Sequence, residues 1–135
     1  MKRFLPYISI LFAVCIFFSC HGEITAPEDA PKEALRNALE ALNKGDYDTY
    51  INNVDYGVEM DSVKKSALRD AVRQHVGWRT ARKASVVAID MVDAEMDGDS
   101  VCMVFYRYTF ADGTDEVAVQ KMVRRGEEWK IRARN

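Results

Sequence analysis

The chain has 135 residues, of which 19 are basic and 21 acidic, and this length is enough to close one ordinary hydrophobic core. A net charge of −2 excludes the strongly basic surface of a nucleic-acid binder, so we expect no nucleic-acid partner. Three cysteines are too few for a disulfide framework in the processed chain that we predict below.

The first 19 residues have the layout of a signal peptide. The basic pair Lys2-Arg3 precedes the apolar run 4–18, and the run stops at Ser19-Cys20. A membrane-spanning helix needs roughly 20 apolar residues, which this run does not reach. The segment is therefore expected to be cleaved rather than retained as a transmembrane helix.

The residues before the cleavage point favour a lipoprotein over ordinary secretion. A secretory peptidase requires a small residue where Phe17 stands. Residues 16–20 instead resemble a bacterial lipobox, which predicts that Cys20 is acylated and becomes the mature N-terminus. Two or three acyl chains hold a protein on a bilayer essentially permanently. An uncleaved anchor and plain secretion are the alternatives.

Cleavage after residue 19 leaves a lipidated tether, residues 20–26, and one domain, residues 27–135. The loss of Lys2 and Arg3 changes the net charge from −2 to −4. Cys102 is then the one thiol left free, and its apolar neighbours predict a buried side chain. We expect a protein of the bacterial cell envelope, anchored by lipid to the inner or the outer membrane.

Residues 27–53 predict two helices. The acidic first turn complements the helix dipole, and Pro31 is tolerated there because its missing N–H would have no partner. Apolar residues then recur at three- and four-residue spacing: Ala34, Leu35, Ala38, Leu39, Ala41 and Leu42. Gly45 ends this helix, and Asp46 caps a second, shorter helix that reaches about residue 53.

A third helix is predicted over residues 61–79, although Gly77 weakens its last turn. Its inward residues are expected to be Val63, Ala67, Leu68, Ala71, Val72, His75 and Val76. From residue 82 the apolar period changes to about two. Strands are predicted over residues 85–96, 101–110, 116–124 and 128–134. Helices followed by a meander of antiparallel strands predict an α+β fold, with the helices packed on one face of the sheet.

Two stretches of the chain carry a family likeness. Glu40-Ala41-Leu42-Asn43-Lys44-Gly45-Asp46-Tyr47-Asp48 joins the first two helices, and Asp112-Gly113-Thr114 through Gly126-Glu127-Glu128-Trp129-Lys130-Ile131 forms the end of the sheet. Both resemble the nuclear-transport-factor-two-like superfamily, and most of all its small bacterial lipoproteins of unknown function with a lumazine-binding-like domain. The resemblance implies a strongly curved antiparallel sheet, a cone-shaped, cystatin-like barrel, wrapped around the helices. Relatives use the conical cavity as a ligand pocket, an active site or a dimer interface.

Acid–base catalysis on such a fold, as in ketosteroid isomerase, combines an aspartate base with tyrosine donors in the cavity. The residues of that type here are Asp90, His75, Tyr106 and Tyr108. Because no spaced catalytic motif connects them, we expect no enzyme activity, no catalytic residue and no cofactor. We predict instead that Tyr106, Tyr108, Asp90 and Trp129 line a pocket, with core packing of the two tyrosines as the alternative. His21 lies in the tether and His75 stands alone on a helix, so the sequence holds no pair of histidines with a carboxylate at metal-ligand spacing.

Charge is segregated along the domain. Residues 64–83 contain seven basic residues and one acidic residue, whereas residues 24–61 contain nine acidic and three basic residues. Arg69 and Arg73 lie one helical turn apart and, with Arg79, are candidates for contact with an anionic surface such as lipid headgroups. We favour the alternative that this basic helix packs beside the acidic first helices and is neutralised there.

These features favour a non-catalytic domain, anchored to a membrane, that binds a small apolar or heterocyclic ligand or another protein. A homodimeric interaction module is the alternative. On the second strand Val101, Met103 and Phe105 lie opposite Tyr106 and Tyr108, so both sheet faces are substantially apolar and one of them would be left uncovered. An acid–base enzyme of the ketosteroid-isomerase type is the least favoured interpretation.

Overall fold

The computed structural model describes residues 26–133. The predicted signal peptide, the acylation site Cys20 and the tether before residue 26 lie outside the described residues. The described part of the chain folds as two helices, one short strand, a third helix and four longer strands. None of the described helices is long and apolar enough to cross a membrane.

The first helix, α1 (Asp29–Lys44), packs one apolar face against the sheet. Pro31 lies in its first turn, as expected, and costs no hydrogen bond there. The buried residues follow the predicted spacing: Pro31, Leu35, Ala38, Leu39, Ala41 and Leu42. Gly45 ends the helix with φ at 85°, a left-handed conformation that disfavours other residues.

The second helix, α2 (Tyr47–Asn52), begins at the predicted cap. The Asp46 carboxylate accepts hydrogen bonds from the Thr49 backbone N–H at 3.3 Å and from the Thr49 hydroxyl at 2.6 Å. The two-residue strand β1 (Val54–Asp55) follows and pairs in parallel with the last strand of the sheet. Two residues between helices carry no measurable period, so the sequence does not predict β1.

The third helix, α3 (Ser62–Lys83), is capped by Asp61, whose carboxylate accepts from the Lys64 backbone N–H at 2.8 Å. It continues past Gly77 and ends one turn beyond the predicted boundary. None of its residues is buried, and Val63, expected to face inward, is 76% exposed. The half-buried residues of this helix are Leu68, Val72, Val76 and Arg79. The prediction was therefore wrong for Val63 and for full burial, whereas Leu68, Val72 and Val76 do lie on the inward side.

Four antiparallel strands make up most of the sheet: β2 (Val86–Asp97), β3 (Val101–Phe110), β4 (Asp115–Arg125) and β5 (Glu128–Arg132). The strand order is β1-β5-β4-β3-β2, so β1 and β2 form the two edges and the sheet is open. The parallel pairing of β1 makes the sheet mixed rather than purely antiparallel, which corrects the prediction. The α+β fold class is confirmed.

The inner face of the sheet, defined as the face that α1 covers, contains the hydrophobic core. Cys102, Val104, Tyr108 and Phe110 alternate along β3 and are buried there. Burial raises the pKa of the Cys102 thiol, in agreement with the predicted buried cysteine. The buried core residues lie between Leu35 and Ile131 in sequence. A chain that starts at residue 23 therefore keeps the whole core.

Candidate functional site

Four tyrosines, here called the tyrosine cluster, meet on the inner face beneath α3. Tyr50 comes from α2, Tyr56 follows β1, and Tyr106 and Tyr108 come from β3. The rings of Tyr106 and Tyr108 lie edge to face with their centroids 5.2 Å apart. Tyr50 is close enough to Tyr56, Tyr106 and Tyr108 for their charges to affect one another's ionisation. Tyr108 is buried in the hydrophobic core and Tyr106 packs partly buried against it, which is the core packing given as the alternative for these two tyrosines.

Arg79 of α3 adds a positive charge to the tyrosine cluster. Its guanidinium carbon lies 5.1 Å from the centroid of the Tyr108 ring, within cation–π distance. The same guanidinium favours the ionised forms of Tyr108 and Tyr50. One turn later, Lys83 contacts the Phe110 ring at 5.8 Å and binds Glu116 at 2.7 Å. These contacts hold the end of α3 over the inner face near the end of β3.

Burial controls the ionisation of the tyrosine cluster. It raises the pKa of Tyr108 to about 12, and the neighbouring Tyr106 adds to this effect. Burial is also the main cause of the raised pKa values of Tyr50 and Tyr56. The phenols whose pKa values are raised therefore stay protonated at neutral pH, where each can donate a hydrogen bond.

An apolar cleft of about 220 Å³ opens next to the tyrosine cluster. Leu42 and Tyr50 form one wall, and α3 forms the other with Ala71, Val72, His75 and Val76. Engineered cavities of about 150 Å³ bind benzene, so this cleft is large enough for a single ring. Tyr50 belongs to both the cleft and the tyrosine cluster. Apolar walls and a few polar groups thus adjoin one another, as in known ligand sites.

Asp90 does not join the tyrosine cluster. It is exposed on the outer face of β2, opposite Arg107 in the strand register, because the alternation of the strand places Ile89 and Met91 on the inner face. This placement corrects the expectation that Asp90 lines a pocket with the tyrosines.

Trp129 lines a separate groove of about 550 Å³. This groove is near the β2–β3 turn, whereas the tyrosine cluster is near the opposite end of β3. It is larger than the cleft, but turn residues of both charge signs line it: Asp99, Arg124 and Glu127. Arg124 is already engaged, since its Nε donates to the Gly126 carbonyl at 3.0 Å. The cleft beside Tyr50 is therefore the better candidate for a specific site.

The three arginines predicted to contact an anionic surface do not form one stripe. Arg69 binds Asp48 of α2 at 2.7 Å, and Arg73 binds Asp70 of its own helix at 3.0 Å. Arg79 instead faces the tyrosine cluster. The ion pair between α3 and α2 is the contact expected from the alternative interpretation, in which the acidic first helices neutralise the basic helix.

His75 lines the cleft and stacks on Trp78, with ring centroids 6.3 Å apart. Within residues 26–133, no group of three or more His, Cys, Asp or Glu side chains is arranged to hold a metal ion. The sequence does not predict that Tyr56 joins the tyrosine cluster, because this residue lies in a loop without a helical or strand pattern. The sequence marks Arg79 as a candidate for contact with an anionic surface, but it gives no sign that this arginine lies beside the tyrosines.

No family model matches this chain, and no curated protein matches it. Among solved structures, a Campylobacter jejuni protein described as an NTF2-like transpeptidase is similar, with a TM-score of 0.62 and 15% sequence identity. The match covers 77% of this chain and 98% of that chain. The chain has the NTF2-like fold. NTF2 is nuclear transport factor two, so the fold implied by the sequence resemblance is confirmed.

Two further solved structures are more distant. A SEC-C motif containing protein from Rhodopseudomonas palustris matches with a TM-score of 0.49 and 13% identity, over 74% of this chain and 73% of that chain. A protein from Kribbella flavida matches with a TM-score of 0.45 and 14% identity, over 76% of this chain and 84% of that chain. Neither adds to the fold assignment.

Proposed function

We propose that this protein is a bacterial envelope lipoprotein, anchored at Cys20, whose NTF2-like domain binds a small ligand without catalysing a reaction. The observation that carries the proposal is the tyrosine cluster with Arg79, directly beside an apolar cleft. A closer kinship with small lipoproteins that have a lumazine-binding-like domain is part of the proposal and rests on the sequence likeness alone.

The chemistry of the site favours binding over catalysis. A general base works best with a pKa near the operating pH, whereas burial moves the pKa of Tyr108 to about 12. Asp90, the aspartate considered as a catalytic base from the sequence, lies on the other face of the sheet. The buried Cys102 thiol has a raised pKa and is a poor nucleophile for the transpeptidation named in the description of the Campylobacter protein. His75 has no carboxylate partner among the described residues to orient it.

A fragment screen on residues 23–135, read by thermal shift and by amide chemical shifts, tests ligand binding. Hits should shift the amides around Tyr50 and Tyr108. Val72→Trp should fill the cleft and abolish binding. Val63→Trp on the exposed side of the same helix is the matched control and should bind normally. Hits that map to the groove around Trp129 would refute the site, and a library without hits would refute small-ligand binding.

Metabolic labelling with a palmitate analogue tests the anchor. Wild-type protein should be labelled and should partition with membranes. Cys20→Ala should lose the label and accumulate as precursor, because lipoprotein signal peptidase acts only after the sulfur is diacylated. Wild-type protein that is cleaved, unlabelled and freely soluble would refute the anchor and leave the ligand site untouched.

A second candidate function is a homodimer formed through the outer face of the sheet, on which no described helix packs. Met103 and Phe105 of β3 and the 55% exposed Val117 of β4 give this face an apolar middle. Exposed acids line β2 beside it: Asp90, Asp93, Glu95 and Asp97. Lys121 of β4 lies on the other side of Met103. A twofold axis through the middle would set the acidic strand of one copy against the basic side of the other.

Sedimentation of residues 23–135 tests the dimer. Glu95→Lys should weaken it by placing like charges together, and Glu95→Lys combined with Lys121→Glu should restore it. A strict monomer at high micromolar concentration would refute the dimer. Equal weakening by the single and double variants would refute the pairing of the charged sides.

A further inference from the structure

Arg79 is a half-buried cation without a carboxylate partner among residues 26–133. Other basic residues of α3 are more exposed and yet paired: Arg69 with Asp48, Arg73 with Asp70, and Lys83 with Glu116. Partial burial of a charge is costly unless something compensates it. Tyr108 supplies a cation–π contact and a hydrogen bond to Arg79 but no negative charge, so the positive charge of Arg79 is not neutralised there.

Glu116 is the carboxylate that strand register places next to the ring that Arg79 contacts. It lies directly opposite Tyr108 in the register of β3 and β4. However, Lys83 already binds it at 2.7 Å, on the last turn of α3. Because Glu116 is paired with Lys83, Arg79 keeps no ion-pair partner among residues 26–133 and lies beside tyrosine hydroxyls that remain protonated at neutral pH.

We propose that the ligand is a small carboxylate with an apolar body, about the size of a single ring. Its carboxylate would lie on Arg79 and the hydroxyls of Tyr50 and Tyr108, and its apolar body would fill the cleft of about 220 Å³ beside Tyr50. This inference rests on the proposed ligand-binding function and adds the charge and shape of the ligand.

The chemistry of each part selects this class. A guanidinium presents a planar fork that matches a carboxylate with two hydrogen bonds, and phenol hydroxyls donate to the remaining lone pairs. Leu42, Val72 and Val76 line the cleft with aliphatic side chains, which provide no hydrogen bonds or charges for a polar or doubly charged body. A single cation also compensates a single negative charge, which favours a carboxylate monoanion over a phosphate.

Calorimetric and amide-shift titrations of residues 23–135 with three matched probes test the inference. The probes are phenylacetate, its neutral isostere phenylacetamide, and the cation phenethylamine. Phenylacetate should bind about tenfold more tightly than phenylacetamide, because a charge-assisted hydrogen bond contributes more than a neutral one. Phenethylamine should bind most weakly.

Substitutions of Arg79 test whether this residue causes the preference for phenylacetate over phenylacetamide. Arg79→Gln should bring phenylacetate down to the affinity of phenylacetamide, and Arg79→Lys should keep part of the difference. Arg73→Gln, which removes an exposed and paired arginine from the same helix, should bind both probes like wild type. Thermal unfolding of each variant verifies the fold, and Val72→Trp should block both probes whatever their charge.

The outcomes separate the two proposals. Equal affinity of wild type for phenylacetate and phenylacetamide would overturn the carboxylate inference and leave ligand binding intact. Inorganic phosphate that binds through Arg79 and is unaffected by Val72→Trp would overturn the assignment of an apolar carboxylate. Failure of all three probes at millimolar concentration would overturn the inference, and a fragment screen that also fails would overturn the proposed function.

Discussion

Helices α1 and α3 pack on the same side of the sheet, but they are held there by different forces. The shorter helix, α1 (16 residues), buries six residues, whereas α3 (22 residues) buries none. Direct polar contacts join α3 to its surroundings at Arg69, Arg79 and Lys83. Helix α1 is thus part of the core, and α3 is a cover over the cleft. Elements with few buried apolar contacts open at lower free energy, which suits the wall of a ligand site.

Truncation of one apolar side chain in each helix should give the largest difference between α1 and α3 in the free energy of unfolding. Leu35→Ala in α1 removes a side chain that is 0% exposed and should lower the free energy of unfolding by about 3 kcal/mol. Val72→Ala in α3 removes a half-buried one and should cost less than about 1 kcal/mol. Urea denaturation measures both values. Equal losses would mean that α3 belongs to the core.

The strand that precedes α3 offers the next largest effect. Asp55 has a side chain that is 14% exposed, accepts a hydrogen bond from the Gly57 backbone N–H at 2.8 Å and pairs with Arg125 at 2.7 Å. Asp55→Asn should therefore lower the free energy of unfolding by about 1–2 kcal/mol, because the amide keeps one acceptor oxygen but loses the negative charge that strengthens both contacts. This anchor fixes the chain before it enters the loosely held α3.

The cost of Asp55→Asn should depend on pH. The Gly57 N–H and then the Arg125 charge hold the pKa of Asp55 below its ordinary value. A depressed folded-state pKa contributes stability that is complete above the unfolded-state value, about 3.9, and is lost as the pH falls through the folded-state pKa. The difference between wild type and Asp55→Asn, measured by urea denaturation, should be full at pH 7 and shrink progressively below about pH 4. A difference that is constant with pH would contradict the role of the carboxylate charge.

Alanine substitutions of one glycine in α3 and one at the end of α1 should change the stability of the protein in opposite directions. Gly77 lies inside α3 without a positive φ, and a Cβ there would contact nothing within 4 Å. Gly77→Ala should therefore stabilise the protein by about 0.5–1 kcal/mol and slow amide exchange in α3. Gly45→Ala at the end of α1 should destabilise it, because φ is 85° there. Destabilisation by Gly77→Ala would point to a close contact of α3 that the structure lacks.

The smallest effect belongs to the ion pair between α3 and α2. A double-mutant cycle with Arg69→Gln and Asp48→Asn should give a coupling of about 0.5 kcal/mol, since both side chains are about half exposed or more. The coupling should fall in about 1 M salt, where charges are screened within about 3 Å. A coupling that resists salt would mean that the pair is more deeply buried than the structure has it.

Much of the fold follows from local patterns in the sequence. The Leu and Ala spacing of α1, the caps at Gly45 and Asp46 and the alternation along β3 each depend on residues close together in the chain. Strand β1 escapes prediction because its two residues are ordered by pairing with β5, which is distant in sequence. The exposure of Val63 could not be predicted either. Apolar spacing along a helix predicts which residues share a face, but not how closely another element packs against that face.

The sequence by itself determined the order of the three helices and the four longer strands, the inner and outer faces of β3 and the buried Cys102, because chain geometry and alternation are local properties. Only the tertiary structure decided which side chains meet. It joined Tyr50 and Tyr56 to Tyr106 and Tyr108, placed Asp90 on the opposite face and left Arg79 without an ion-pair carboxylate in the part of the chain from residue 26 to residue 133. Such contacts depend on strand register and on where the end of α3 packs against β3. Both are set by the packing of the whole core.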